Sequence, residues 1–268
     1  MQSAALPEYE LFAIRYATRP ARRTDNFIGG DPRDEPMPMD YFVWVAISPD
    51  FTVVVDTGLS RETAAKRKRT FLHSPIDVLR DLGVDAETVT DVILTHLHND
   101  HTGFIPSFPQ ARFHLQESEL HFSTGHYMQY PRLARALEME DVINVVRLGY
   151  AGRVKFHFGD AELAPGITLH LAGGHSGGLQ FVRVHTKRGW VVVAADVAHF
   201  YENMETGRPF AQAFHVGEML DGFGKLEALA PTKQHIVPGH DPLVMERYPA
   251  ASKELEGIVV RLDMPPSA

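Results

Sequence analysis

Six consecutive residues, His96-Leu97-His98-Asn99-Asp100-His101, place four metal-ligating side chains directly after a short apolar run. In a loop, alternate positions point the same way, so His96 and His98 suit one ion and Asp100 and His101 a second beside it. Two cations about 3.5–4 Å apart are a standard device for activating water. A tetrahedral ion asks for more ligands than one loop supplies. Three further candidates have similar settings. His175 lies in Gly173-Gly174-His175-Ser176-Gly177-Gly178, where small residues allow backbone to approach an ion. Asp196 ends the apolar run Val191 to Ala195, and a carboxylate buried there is costly unless it meets a cation. His240 lies in Pro238-Gly239-His240-Asp241. Each of these three is a modest signal alone, and their order and company make the signal.

These groups need strand ends to hold them. Residues 11–17 read as a first strand, and 41–47 with 51–55 as a hairpin ending at Asp56-Thr57-Gly58. The Pro- and Gly-rich segment 18–40 reads as a loop or lid over the site. Ser74-Pro75-Ile76-Asp77 is a helix start, and Gly83 stops that helix. Val89 to Thr95 is a strand buried on both faces. Residues 116–124, 132–147 and 216–230 read as helices, as does a C-terminal stretch over 246–260 followed by a frayed tail. Residues 153–158, 167–171, 179–184 and 190–195 read as strands, and 235–237 as a brief one. Each half thus has one strand ending in an acid (Asp56, Asp196) and one ending in His (His96, His240). Two β-rich halves, backed by helices and meeting at one site, are expected from a single domain over 1–268.

Composition narrows the chemistry. The chain has 268 residues and a net charge of -8, which argues against nucleic-acid binding. The basic run Lys66 to Arg69 then reads as a solvated helix face. With no cysteine, thiol catalysis is excluded and any metal site rests on His and carboxylates. No apolar run approaches the ~18 residues of a membrane span, and the N-terminus lacks the basic-then-apolar pattern of a secretory signal, so a cytoplasmic enzyme is expected. Of the 15 histidines, nine outside these motifs (His73, His114, His121, His126, His157, His170, His185, His215 and His235) show no ligand spacing.

The series HLHNDH, GGHSGG, strand-ending Asp and PGHD resembles the metallo-β-lactamase superfamily, over roughly residues 40–245. Within it the pattern is most similar to the N-acyl-homoserine lactonases. The resemblance implies an αββα sandwich, two mixed sheets flanked by helices, with metals at one edge. It implies His96, His98 and His175 on a first metal, Asp100, His101 and His240 on a second, and Asp196 bridging them. Asp56 would hydrogen-bond a ligand His and fix its tautomer. Zinc comes first as the ion, with manganese, iron or cobalt also compatible. The implied reaction is ring opening of a lactone by a metal-bridging hydroxide, with Asp100 passing a proton to the leaving oxygen and the quorum signal of bacteria as substrate.

One departure bears on substrate. Where the familiar lactonases carry Tyr three residues past the bridging Asp, this chain has His199, a candidate donor to the oxyanion. The stretch with Phe200, Tyr201, Met204, Phe210 and Phe214 would line an acyl pocket or pack in the core. The alternative substrates are another small ring metabolite, opened by a catabolic lactonase or cyclic amide hydrolase, or a glyoxalase II-like thioester. A flavodiiron-like carrier would need Glu at position 98, where this chain has His98. The loop at 18–40 would also serve a homodimer.

Overall fold

Alternation along the strands dictates the layers. In the first strand, Leu11 and Ala13 face one cluster while Phe12, Ile14 and Tyr16 face another. This is the period of two expected where both faces of a sheet are buried. The computed structural model describes residues 5–267. Its strands are β1 (Glu10–Arg19), β2 (Met39–Ile47), β3 (Thr52–Val55), β4 (Thr70–Phe71), β5 (Asp91–Ile93), β6 (Arg112–Gln116), β7 (Val154–His157), β8 (Ala161–Ala164), β9 (Ile167–Leu171), β10 (Gln180–Thr186), β11 (Gly189–Ala195), β12 (Ile236–Pro238) and β13 (Val259–Arg261).

One sheet has the order β13-β1-β2-β3-β5-β6-β7, with β4 added beside β1. The other has the order β12-β11-β10-β9-β8. Trp44, Val53, Val55 and Ile93 of the first meet Leu169, Val182, Val184 and Val193 of the second in a shared apolar layer. Helices cover both outer faces. Leu79, Val142 and Val145 pack on the first sheet, and Phe223 and Leu226 of helix Val216–Leu229 on the second. This is the four-layered αββα arrangement.

The topology also sets the site. β3 pairs β5 in parallel, and β11 pairs β12 in parallel. The carboxyl ends of each pair therefore emerge together, bringing Asp56 beside the 96–101 loop and Asp196 beside His240.

Four expectations need correction. The C-terminal helix over 246–260 is absent: a helix spans Leu243–Arg247 and stops before Pro249, and β13 then pairs antiparallel with β1. Pro249 breaks a helix, and Val259 and Val260 complete the sheet edge. The helix over 132–147 is two pieces, Pro131–Ala134 and Met139–Tyr150. The break frees the Ala136 carbonyl to accept from the backbone N–H of Asn99 at 2.9 Å, inside the histidine loop. Lys66 to Arg69 is not a solvated helix face. The helix Arg61–Lys66 ends there, Lys68 turns left-handed at φ 55°, Arg67 binds Glu138 at 2.9 Å through Nε, and Arg69 is largely buried. The strand expected over 89–95 is only β5. Strands β4, β6 and β8 have no counterpart among the sequence expectations.

Candidate metal centre

Asp56 lies at φ 63°, a left-handed conformation that Asp tolerates better than most residues. Its carboxylate accepts from the Thr95 N–H at 2.7 Å and the Thr95 hydroxyl at 2.7 Å, and it meets His101 Nδ1 at 2.7 Å. Ala195 lies at φ 44°, a strained conformation for a residue with a Cβ, and the Asp196 carboxylate that follows it meets the site histidines. Gly239 packs on Ala195, and a Cβ there would collide with the Ala195 carbonyl.

The histidines are oriented from behind. His175 Nδ1 lies 2.8 Å from the Gln212 carbonyl, and His240 Nδ1 lies 2.8 Å from the Asp40 carbonyl. A carbonyl only accepts, so each Nδ1 carries the hydrogen and each Nε2 is left with its lone pair. His96 Nδ1 lies 3.1 Å from the Thr95 hydroxyl, whose own hydrogen goes to Asp56. With His101 held on Asp56, four rings present Nε2 to one space. His98 presents Nδ1, 2.9 Å from His175 Nε2.

All seven expected ligands converge. Donor atoms of His96, His98, His175 and Asp196 lie within 4.8 Å of one another, as do those of Asp100, His101 and His240. Asp196 joins the two groups. Its Oδ2 is 3.1 Å from His175 Nε2 and 3.6 Å from His96 Nε2. Its Oδ1 is 3.1 Å from His240 Nε2 and 3.4 Å from His101 Nε2. One oxygen per cluster is what a bridge between two ions requires. His96 Nε2, His101 Nε2 and Asp196 Oδ1 are buried with no hydrogen-bond partner. Such orphans cost about 1–3 kcal/mol each, and divalent cations would satisfy all three. The donor set therefore fits two divalent metal ions.

Electrostatics agree. Burial opposes charge on Asp196, yet His240 and His101 beside it hold its carboxyl well below the usual carboxylate range. Burial likewise opposes charge on Asp100, and Arg69 with His101 and His240 outweighs it. Burial, with His101 and His98 beside it, keeps the His96 ring neutral, the form that binds metal.

His199 is inside the site. Its Nε2 is 3.2 Å from Asp196 Oδ2, and its ring stacks on Phe210 with centroids 3.7 Å apart and planes 9° from parallel. Burial pushes its pKa down to about 3, so the ring is neutral. Of the aromatic stretch, only Phe210 lines the cavity over the metal cluster. Phe200 and Tyr201 are buried in the core, Met204 packs against it, and Phe214 packs on Phe122 and Tyr127. Of the outlying histidines, His114 meets Asp91 and His170 meets Asp160.

Sequence reasoning missed Glu119. This fully buried carboxylate accepts from the Leu97 N–H at 2.9 Å, the Ser176 hydroxyl at 2.7 Å and the Gly178 N–H at 2.8 Å. It ties the 96–101 loop to the 173–178 loop. The glycines of that second loop also have a different reason from the one expected. A Cβ at Gly178 would meet Glu119, at Gly177 Phe122, and at Gly174 Met219. They admit helices, not the ion.

The cavity over the cluster holds about 570 Å³. Arg19, Thr24, Asp25 and Met39 line it, so the 18–40 segment borders the site. An ion network centred on buried Asp31 and Arg23 anchors that segment: Arg23 pairs with Asp31 at 3.1 Å, Arg208 with Asp31 at 2.7 Å and Arg33 with Glu202 at 3.2 Å. The Arg208 contact, with Arg23 and Arg33, holds Asp31 far below the usual carboxylate range.

Residues 37–245 match the metallo-beta-lactamase superfamily. The N-acyl homoserine lactonase AiiB of Agrobacterium fabrum is 26% identical over 78% of this chain and 80% of its own. The N-acyl homoserine lactonase of Bacillus cereus is 30% identical over 62% of this chain, and the match spans 61% of that protein. A solved N-acyl homoserine lactone hydrolase, with N-hexanoyl-L-homoserine at its catalytic metal centre, superposes with a TM-score of 0.74 at 19% identity, over 90% of this chain and 96% of that one.

Proposed function

This chain belongs to the metallo-beta-lactamase superfamily, and we propose that within it the chain opens a lactone ring at a two-metal centre, with zinc as the first ion to try. The observation that carries the reading is Asp196, with one carboxylate oxygen toward each histidine cluster. His96, His98 and His175 would hold one ion, and Asp100, His101 and His240 the other. Bound there, such ions polarise an ester carbonyl and lower the pKa of water toward neutrality.

The chain's own residues do the rest. Asp56, Gln212 and Asp40 fix the ring tautomers. Once Asp196 is engaged by cations, the neutral His199 ring can donate Nε2–H to the substrate's carbonyl oxygen. Phe210 holds that ring flat. Asp100, held ionised beside Arg69, takes the proton released by the attacking water and passes it to the ring oxygen as the acyl C–O bond breaks.

N-acyl homoserine lactones are the first substrates to try, because the relatives carry that name. One observation favours a second reading, a smaller and more polar ring: five arginines line the cavity with other polar groups, and it offers little apolar wall. Proton release from metal-replete protein decides. The panel is acyl-homoserine lactones, simple γ- and δ-lactones, a β-lactam and a glutathione thioester. Turnover of a lactone with kcat/KM above about 10⁴ M⁻¹s⁻¹, abolished by Asp196→Ala, supports the reading. Faster turnover of the thioester or β-lactam contradicts it.

A further inference from the structure

We propose that the substrate carries a carboxylate away from the scissile ester, seated against Arg19, Arg132 and Arg135 at the cavity mouth. The inference rests on the ring-opening reading and names its substrate class. The chain is acidic overall, with 26 Lys and Arg against 34 Asp and Glu. Yet five arginines converge on this one cavity, from the end of β1, the 67–69 turn and the helix Pro131–Ala134 with its cap.

Two of the five are already committed. Arg67 donates to Glu138 and to the carbonyls of Arg135 and Leu137. Arg69 donates to Asn99 at 2.6 Å and lies over the Tyr41 ring, with its other edge 3.8 Å from Asp100. The other three are not. Among the described residues, no carboxylate lies within salt-bridge distance of Arg19, Arg132 or Arg135. Arg19 points at the Met39 sulfur, at 2.9 Å, a weak acceptor. Arg132 reaches one carbonyl, that of Ala211, at 3.2 Å, and Arg135 only Gln212 Oε1, at 3.5 Å.

A guanidinium has five N–H donors in a planar fork that matches a carboxylate, so most of these donors are free for a ligand. Arg132 and Arg135 are three apart on one helical turn and so share a face. Arg132 touches the Ala211 backbone carbonyl and Arg135 the Gln212 side chain, and the Gln212 carbonyl orients His175. An anion held there sits on the same wall as the metal cluster. The bland alternative is a set of solvated surface arginines. Solvation alone does not explain convergence on the mouth of the cavity that contains His98, His175 and Asp196. A long neutral acyl chain, in contrast, would have to lie across charged groups, with only Met39, Tyr41 and Phe210 as sizeable apolar wall.

The test uses metal-replete protein and one ring in two charge states, 5-oxotetrahydrofuran-2-carboxylate and its neutral carboxamide. Wild type should prefer the carboxylate, and the preference should shrink with salt. In the Arg132→Gln/Arg135→Gln double variant, the carboxylate-to-carboxamide ratio of kcat/KM should fall about 10- to 100-fold, mainly through KM. Calorimetry with tetrahydrofuran-2-carboxylate, which has no ester to cleave, should show the matching loss of affinity. A wild-type ratio at or below one, or a ratio unchanged in the double variant, overturns the inference and leaves the lactonase reading standing. If no lactone turns over but the analogue binds in an arginine-dependent way, the ester reading falls and the anion site stands.

Discussion

Replacing Glu119 should loosen the metal centre without touching a ligand. The Glu119→Ala variant strands three buried donors: the Leu97 N–H, the Gly178 N–H and the Ser176 hydroxyl. A stranded buried donor costs about 1–3 kcal/mol, and the hydroxyl can rotate away, so about 3–5 kcal/mol is expected. For a chain of this size that lowers Tm by about 6–20 °C. The loops holding His96, His98 and His175 also lose their common anchor, so metal affinity should fall about 10- to 100-fold, as when partners of ligands are removed elsewhere. Glu119→Gln keeps the shape but turns one accepting oxygen into a donor, and should fall between. The assay is a thermal melt with metal analysis after dialysis against a competing chelator. An Ala variant that melts within about 2 °C of wild type and keeps its metal would refute the reasoning.

Other consequences are as direct. Asp56→Ala leaves the His101 Nδ1–H without its acceptor and should cut metal affinity about 10- to 100-fold, read by chelator competition. His199→Ala should lower kcat about 100-fold with metal content unchanged if the ring donates to the oxyanion; loss of an ion instead would make it a ligand. Asp141 offers a pH signature. Burial raises its pKa from 3.8 to about 6. Because the folded value lies above the unfolded one, its stabilising contribution is full below about pH 4 and lost as pH rises through about 6. Asp141→Asn should therefore gain about 1–2 kcal/mol at pH 7, discounted for partial exposure, and nothing near pH 4. Melts across that range check it.

The candidate ligands are legible because their signal is local. A strand that runs into His or Asp reads the same in sequence and space, directly at Asp56 and Asp196 and within three residues at His96 and His240. What held those ligands was not legible. The acceptors for His175 and His240 are backbone carbonyls, which carry no residue signature. Glu119 looks like any acid in a short helix, and its Ser176 and Gly178 partners lie 57 and 59 residues away. Arg69 was hidden in a basic run because burial of a single Arg depends on Tyr41 and Asn99, which only the fold brings near. The C-terminal strand failed for a related reason. Val259 and Val260 suit helix or strand alike, and β1, more than two hundred residues earlier, decides between them. The glycines around His175 signal close approach in the sequence, but the partners are Met219, Phe122 and Glu119, which only the fold brings near.

The central claim is a pair of ions, bridged by Asp196, that opens a lactone ring. The most direct measurement titrates chelated protein with zinc while following both bound metal and proton release from a lactone. Tight binding that breaks at about two equivalents, with hydrolysis rising to the same point and both lost in Asp196→Ala, is the expected result. A break at one equivalent, or two bound ions with no lactone opened, would contradict it.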